Sequence, residues 1–412
     1  LYDNAQLAVA YLEAWQLTGR ENYRRVVRET LDYLMRDMQD GSGGFYASQD
    51  ADNAEGEGMF YLWRKDQIIE CLGDNEGSRF CAAYDVRPEG NFLSHEDCHR
   101  NSNVLFCKEP EGDYSALRNI LLSERSKRKN PQRDEKVLTS WNALAISAFV
   151  KAGIAFDDAE YINTALRAGF FLRDAMCKEN RLMRAWRDGR THLPGYLDDY
   201  AAWANACIDL YECSAVFEWI GLAEGAADYM LEHFYDRDAG GFHSTGKEHR
   251  HLLARIKPIH DTAEPSGNAQ AALALTRLAV ITGEEKYSEP AEKTFQIALP
   301  MTALAPAAFP NLLLAMNLQH YGADEIVLAG GANTDSLSNC RQIIGKHFIP
   351  NRQIIYAGKS ERQAGIPVVE GRMLAQGGCS VWICTNRQCS TPLNTTAALQ
   401  AVMNRNWKRV EI

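Results

Sequence analysis

Along most of the chain, apolar residues recur three and four positions apart. Leu7, Ala10, Tyr11, Ala14 and Trp15 fall on one helical face, and Val26, Val27, Thr30, Tyr33 and Leu34 on another. The pattern predicts helices over 3–18 and 21–39. They are joined at Thr18-Gly19-Arg20-Glu21, where Gly19 suits a left-handed C-cap. The same hairpin then recurs. Asp3 aligns with Asp199, and Asp32-Tyr33 with Asp228-Tyr229. With one residue of slack, Gly43-Gly44-Phe45 aligns with Gly240-Gly241-Phe242. A second offset carries Asn4 onto Asn142, Tyr23 onto Tyr161 and Leu34 onto Leu172. A third carries Asn4 onto Asn268, Thr18-Gly19 onto Thr282-Gly283 and Tyr23 onto Tyr287. Self-similarity on this scale marks a repeated unit that buries its apolar face against its neighbours.

The second inner helix therefore begins near Asn142, with a partner over 159–177. A third hairpin runs from Asp198 to about His233 and a fourth from Gly267 to about Leu299, followed by a helix over 306–319. Between the first two hairpins, a Gly-rich turn at 41–46 leads into an extended run, Ser48 to Asp52. Gly56 to Trp63 reads as its hairpin partner. Helices over 65–72 and 114–128 flank an irregular stretch at 86–112. From Asp324 strand and helix patterns alternate, predicting a small α/β appendage. The expected fold is mainly α: an α/α toroid over 1–322 and an α/β region over 323–412. The inner helices face an axis and their leading loops frame a concave mouth.

Composition narrows the function classes. A net charge of −10 argues against a general nucleic-acid or anionic-membrane binder. The one basic run, Arg125 to Lys129, lacks interleaved aromatics and reads as a solvated loop. The 11 cysteines form no disulfide-type framework, which points to a reducing, cytoplasmic setting. Cys384 and Cys389 match neither redox nor zinc spacing and read as ordinary thiols. No uninterrupted apolar stretch is long enough for a membrane span. His243, His249, His251 and His260 lack ligand spacing, so neither a metal nor a cofactor is expected. The chain has no initiator Met and opens directly on a repeat motif, which reads as a fragment of a longer protein.

Three clusters in the mouth-facing segments carry candidate chemistry. The first is Asp50, Asp52, Glu55 and Glu57 with Tyr46, Tyr61 and Trp63. Aromatic rings stack on a sugar's apolar face, while carboxylates accept hydroxyl hydrogen bonds or act as acid and base. The same residues also suit a solvated acidic turn. The second is Asp198, Asp199 and Tyr200 at a helix start, where capping alone would account for one carboxylate. Asp199, equivalent to Asp3, is the expected cap, leaving Asp198 as the functional candidate. The third is Asp261, Glu264, Ser266 and Asn268. The recurrence of Asn4, Asn142 and Asn268 suits a repeated structural hydrogen bond as well as substrate contact. Trp141 and Trp203 suit sugar platforms or core.

At these motifs the chain resembles the spermatogenesis-associated, thioredoxin-domain-containing proteins. The resemblance rests on Leu1-Tyr2-Asp3-Asn4-Ala5, on Gly43 to Asp52, on Phe60-Tyr61-Leu62-Trp63 and on Lys136 to Asn142. Gly195 to Ala201, Glu264 to Asn268 and Val381 to Cys389 also match. The resemblance implies a toroid of the six-hairpin glycosidase and sugar-epimerase type. It also implies a thioredoxin-like domain and further toroid helices before Leu1, whose loss would leave an apolar seam. Ala143 stands where the family usually has glycine.

The expected function is a carbohydrate-active or carbohydrate-binding toroid. In the hydrolase version, Asp50 or Asp52 pairs with Asp198 or Asp261 as acid and base. Tyr46, Glu57, Tyr61, Trp63, Trp141, Asn142, Asp199, Tyr200, Glu264 and Asn268 line the substrate site. Scarcity of well-placed histidines counts against epimerase chemistry. The alternatives are a non-catalytic module that binds a client for the redox domain, and a scaffold with a filled mouth.

Overall fold

The structure, a computed structural model, describes residues 1–93, 97–108, 112–179, 181–247, 253–330, 335–358, 363, 366–372, 379–385 and 388–410. His249 and His251 lie outside the described residues. The chain forms two compact units: residues 1–46 with 136–412, and residues 47–135.

The larger unit is a run of helical hairpins. Helix α1 (Tyr2–Thr18) pairs with α2 (Glu21–Tyr33). Three further helices, α3 (Lys65–Leu72), α4 (Asp74–Ala83) and α5 (Ser115–Arg125), belong to the smaller unit. The run resumes with α6 (Thr139–Phe156) against α7 (Ala159–Phe171), then α8 (Leu197–Ser214) against α9 (Glu218–His233). Helix α10 (Gly267–Thr282) packs on α11 (Ser288–Leu304), and α12 (Pro310–Tyr321) follows. Inner helices pack in succession, α1 on α6, α6 on α8, α8 on α10 and α10 on α12. Outer helices stand behind them, the arrangement of an α/α toroid.

Sequence explains which helices are inner. Helix α8 buries almost every side chain from Leu197 to Cys213, because Ala, Cys, Ile, Leu and aromatic residues occur on all its faces. Helix α2 buries only Val27 and Leu31 and turns arginines and glutamates outward. The repeat is also visible in hydrogen bonds. The Tyr161 hydroxyl donates to Asp32 Oδ1 at 2.7 Å, and Tyr287 donates to Asp228 Oδ1 at 3.1 Å. Each pair ties one outer helix to the next at aligned positions. Helices α2 and α7 both end in a π turn, Leu34–Met38 and Leu172–Met176.

The aligned asparagines act as brackets. Asn142 Oδ1 accepts the Phe45 N–H at 2.6 Å, and its Nδ2 donates to the Phe45 and Leu138 carbonyls. Asn268 does the same to Phe242, with Pro258 as its third partner. Both brackets close on the Gly-Gly-Phe turn. Gly43 has φ 114° and Gly241 φ 70° there, and a Cβ on Gly241 would sit 2.5 Å from Ile297 Cδ1.

The α/β region packs on the helices. Strands Asp324–Ala329 and Arg352–Ala357 run parallel, and Ser380–Thr385 adds antiparallel on the other side, followed by Gln388–Cys389. Helix α13 (Asp335–Gly345) rests on α6. The reading of Cys384 and Cys389 as ordinary thiols is corrected: they are directly opposite in the last strand pair and form a disulfide. Sequence spacing does not reveal this, because strand pairing sets the proximity.

The smaller unit has its own core of Trp63, Ile68, Phe80, Tyr84, Tyr114 and Leu121. Its pairing differs from the expected single hairpin. Ser48–Gln49 pairs with Arg133–Asp134, Asp52–Asn53 with Gly56–Glu57, and Trp63–Arg64 with Ser102–Asn103. The first of these holds the unit's entry and exit strands together.

Candidate functional site

The starts of inner helices α6, α8 and α10 gather the polar groups of the larger unit. The bend into α8 is capped by Asp199, whose Oδ2 accepts the Tyr196 N–H at 2.9 Å and whose Oδ1 accepts the Ser140 N–H at 3.1 Å. Asp199 is fully buried. Arg184, on the strand Arg181–Arg187, reaches across with Nη1 2.9 Å from Asp198 Oδ2 and 3.0 Å from Asp199 Oδ2. Its guanidinium carbon lies 4.8 Å from the centre of the Tyr196 ring.

Glu264 approaches the same place from the loop before α10. Trp141 Nε1 donates to Glu264 Oε2 at 2.5 Å, and Tyr2 meets the Trp141 ring edge-on at 4.7 Å. Glu264, Trp141, Tyr2 and Asp198 are half-buried, so the cluster is reachable from solvent and partly desolvated.

Electrostatics separates these carboxyls. Burial, and then the negative charges of Asp198 and Asp3, push Glu264 above the ordinary glutamate range. The Trp141 hydrogen bond and Arg184 work in the other direction. Burial and the adjacent Asp198 likewise push Asp199 up to about 7, although Arg184 and two backbone N–H groups favour its ionised form. Burial opposes the charge on Arg184, but Asp199 and Asp198 together hold it firmly protonated.

The other expected residues fall in three groups. Asn142 and Asn268 are buried and spend their polar atoms on the brackets, leaving none for a ligand. Tyr200 is buried, stacks on Tyr229 at 4.4 Å and accepts the Leu182 N–H, and Trp203 is core. Asp261 links its loop to the start of α12, accepting the Ser266 N–H at 2.7 Å and the Asn311 N–H at 2.8 Å. Tyr46 donates to Asp40 at 2.6 Å.

Asp50, Asp52, Glu57, Tyr61 and Trp63 belong to the smaller unit. There Asp50, Asp52 and Glu57 are exposed, and Asp52 sits opposite Glu57 across a short strand pair. Tyr61 donates to Gln49 at 2.8 Å. Trp63 is buried under the Arg128 guanidinium, 4.0 Å from the ring centre, so its face is already covered. Among the described residues no group of three His, Cys, Asp or Glu side chains could hold a metal ion. None of the helices searched is long and apolar enough to cross a membrane.

Sequence reasoning missed Arg184. Its signal is a basic residue on the first strand of the hairpin, Arg181–Arg187 with Arg190–Pro194, that precedes Asp198-Asp199. It also missed Arg277, inside the otherwise apolar α10. Arg277 is buried with Nη2 2.6 Å from Asp209 Oδ1 and 3.5 Å from Glu212 Oε1, and Arg352 Nη2 adds a contact to Glu212 Oε2 at 3.3 Å. A cavity of about 170 Å³ adjoins this network, with Gln16, Lys151 and Gln353 among its lining residues.

The chain is 28% identical to human spermatogenesis-associated protein 20 over 98% of its own length and 57% of that protein's. The rat protein of the same name is 26% identical, with the same coverage of both chains. The chain thus spans little more than half the length of these relatives. No family model matches. Solved structures similar to it include a D-mannose isomerase, at 12% identity over 73% of this chain and 75% of that chain, with a TM-score of 0.40. A glycoside hydrolase family 76 mannosidase from Bacteroides thetaiotaomicron is 14% identical over 71% of this chain and 70% of that chain, with a TM-score of 0.35. Over the portion of their length that it matches, the chain is similar to the proteins named spermatogenesis-associated protein 20.

Proposed function

We propose that the starts of α6, α8 and α10 form a carbohydrate site, with Glu264 as proton donor and the arginine-paired Asp198 as its counterpart. The observation that carries this reading is a pair of carboxyls in opposite surroundings. Glu264 is desolvated and sits against an indole, and Asp198 is held by Arg184. A carboxyl whose surroundings raise its proton affinity, beside a second carboxyl paired with a guanidinium, suits an acid–base division. Trp141 and Tyr2 supply ring edges and faces for a sugar. Asp199 is a positioning residue, since it fixes Arg184 and touches no open space.

A thermal-shift series with mono- and disaccharides tests the reading. A bound sugar at about 100 times its dissociation constant adds about 2.7 kcal/mol of stability. One sugar class raises the melting point of the wild type but not of Trp141→Ala. If the site also turns over, Glu264→Gln reduces the rate by roughly a hundredfold or more, and wild-type activity falls as pH rises through the raised Glu264 value. No shift with any sugar sinks the carbohydrate reading.

One observation favours a second reading. Arg184 already occupies Asp198, which suits a site that binds a client without transforming it. The family resemblance makes a thioredoxin-like domain of the whole protein the natural user of such a client. The cysteine usage of the sequence, with no framework of paired spacings among its 11 cysteines, suits a reducing, cytoplasmic setting.

A further inference from the structure

The C-terminal sheet holds chemistry that the helix-start cluster does not use. Cys384 is buried, whereas its disulfide partner Cys389 is exposed. Arg372 Nη2 lies 3.3 Å from Cys384 Sγ and 2.7 Å from Cys389 Sγ. Its guanidinium carbon is 5.9 Å from the centre of the Trp382 ring. Arg372 and Cys389 both line a cavity of about 600 Å³, whose polar wall includes Thr276, Ser288, Gln319 and Glu325. Glu325 pairs with Cys384 across the sheet and is the carboxylate whose charge acts on Arg372.

A disulfide that only staples two strands gains nothing from a cation on both sulfurs. A cation there stabilises a thiolate, the species that forms when the bond opens. The cavity volume falls in the range of small-molecule sites, roughly 300–1,000 Å³. We propose that Cys384–Cys389 is a thiol–disulfide exchange site for a low-molecular-weight thiol bound in this cavity.

The exposed sulfur sets the direction of attack. A thiolate RS⁻ bonds to Cys389 Sγ as the Cys384–Cys389 bond breaks. Cys384 leaves as a thiolate against Arg372 and takes up a proton. A second RS⁻ attacks the R sulfur of the mixed disulfide, releasing RSSR and the Cys389 thiolate, which is then protonated. Two thiols are oxidised to one disulfide, and the protein pair is reduced by the same two electrons. The reverse sequence reoxidises it.

The test uses the full chain with reduced or oxidised glutathione, followed by alkylation and peptide-level mass analysis. Reduced glutathione opens the 384–389 pair under native conditions. In Cys384→Ser, oxidised glutathione leaves a mixed disulfide on Cys389; in Cys389→Ser, the buried Cys384 remains unmodified. Arg372→Gln slows native opening roughly tenfold, and Arg372→Lys restores most of the rate. Opening only in denaturant overturns the proposal, as does modification of Cys384 and Cys389 at equal rates in the two serine variants. An unchanged rate in a folded Arg372→Gln removes the role of the arginine. Opening by a protein dithiol but not by glutathione overturns the small-thiol assignment.

Discussion

Helix α8 carries an acidic pair at each end, and the two ends treat their charges differently. At its C-terminal end Asp209 and Glu212 are both buried and meet two arginines, Arg277 and Arg352. Burial opposes ionisation of Asp209, yet Arg277 and Lys151 hold its carboxyl below the usual range. At the N-terminal end Asp198 and Asp199 share the single Arg184, and Glu264 adds a third carboxyl. One end is matched in charge and its carboxylates are buried. The other is short of cations and half-open, and burial, reinforced by the surplus negative charge, raises the proton affinity of Glu264 and Asp199. Structural ion pairing balances charge, whereas an acid–base site leaves a carboxyl unbalanced.

The contrast can be broken from either side. Arg277→Met leaves two buried carboxylates without their main partner and should cost about 3–5 kcal/mol in chemical denaturation. A loss below about 1 kcal/mol would show that the C-terminal end is not held by charge. Arg184→Gln should cost less, about 1–3 kcal/mol at neutral pH, because Asp199 takes up a proton instead. Its deficit should widen above pH 7 and narrow in mild acid; a pH-independent deficit contradicts the raised Asp199.

The wild type should show that proton directly. Asp199 titrates near 7 in the folded chain against about 3.9 when unfolded. The folded state therefore binds the extra proton between those values. Asp199's contribution is fully present below about pH 4 and is lost as pH rises toward 7. Melting points across that window should decline less steeply in Asp199→Asn than in the wild type. The smallest effect is expected at Glu264. Glu264→Gln keeps an acceptor for Trp141 and relieves repulsion from Asp198, so stability should stay within about 0.5 kcal/mol. A larger loss would make Glu264 a structural group like Asp209.

Much of the fold was legible because the repeat devices are short-range in type. Tyr23, Tyr161 and Tyr287 align, and two of them turn out to tie neighbouring outer helices. The aligned asparagines turn out to close the Gly-Gly-Phe turns rather than face a ligand. The carboxyl cluster was half legible. Asp198, Glu264 and Trp141 were nominated from helix starts, but Arg184 joins them only through the fold of its strand. Arg277 could have been suspected, since a lone arginine in an apolar helix needs a buried anion. The independent core around Phe80 and Tyr84 was not foreseen. Its helices and turns resemble their neighbours locally, and only long-range contacts reveal which partners they choose.

The Asn brackets bear on how such a chain can grow. Asn142 ties to Phe45 across 97 positions, whereas Asn268 ties to Phe242 across 26. For flexible connectors, that difference in ring size adds only about 1.2 kcal/mol of closure entropy. Here the longer ring contains residues 47–135, whose first and last strands pair at Ser48–Asp134. The extra chain thus brings its own ends together and relieves the bracket of most of that entropy. A locally latched hairpin of this kind is a permissive insertion point. Whole folded segments can enter between a Gly-Gly-Phe turn and the following inner helix without loosening the helical stack.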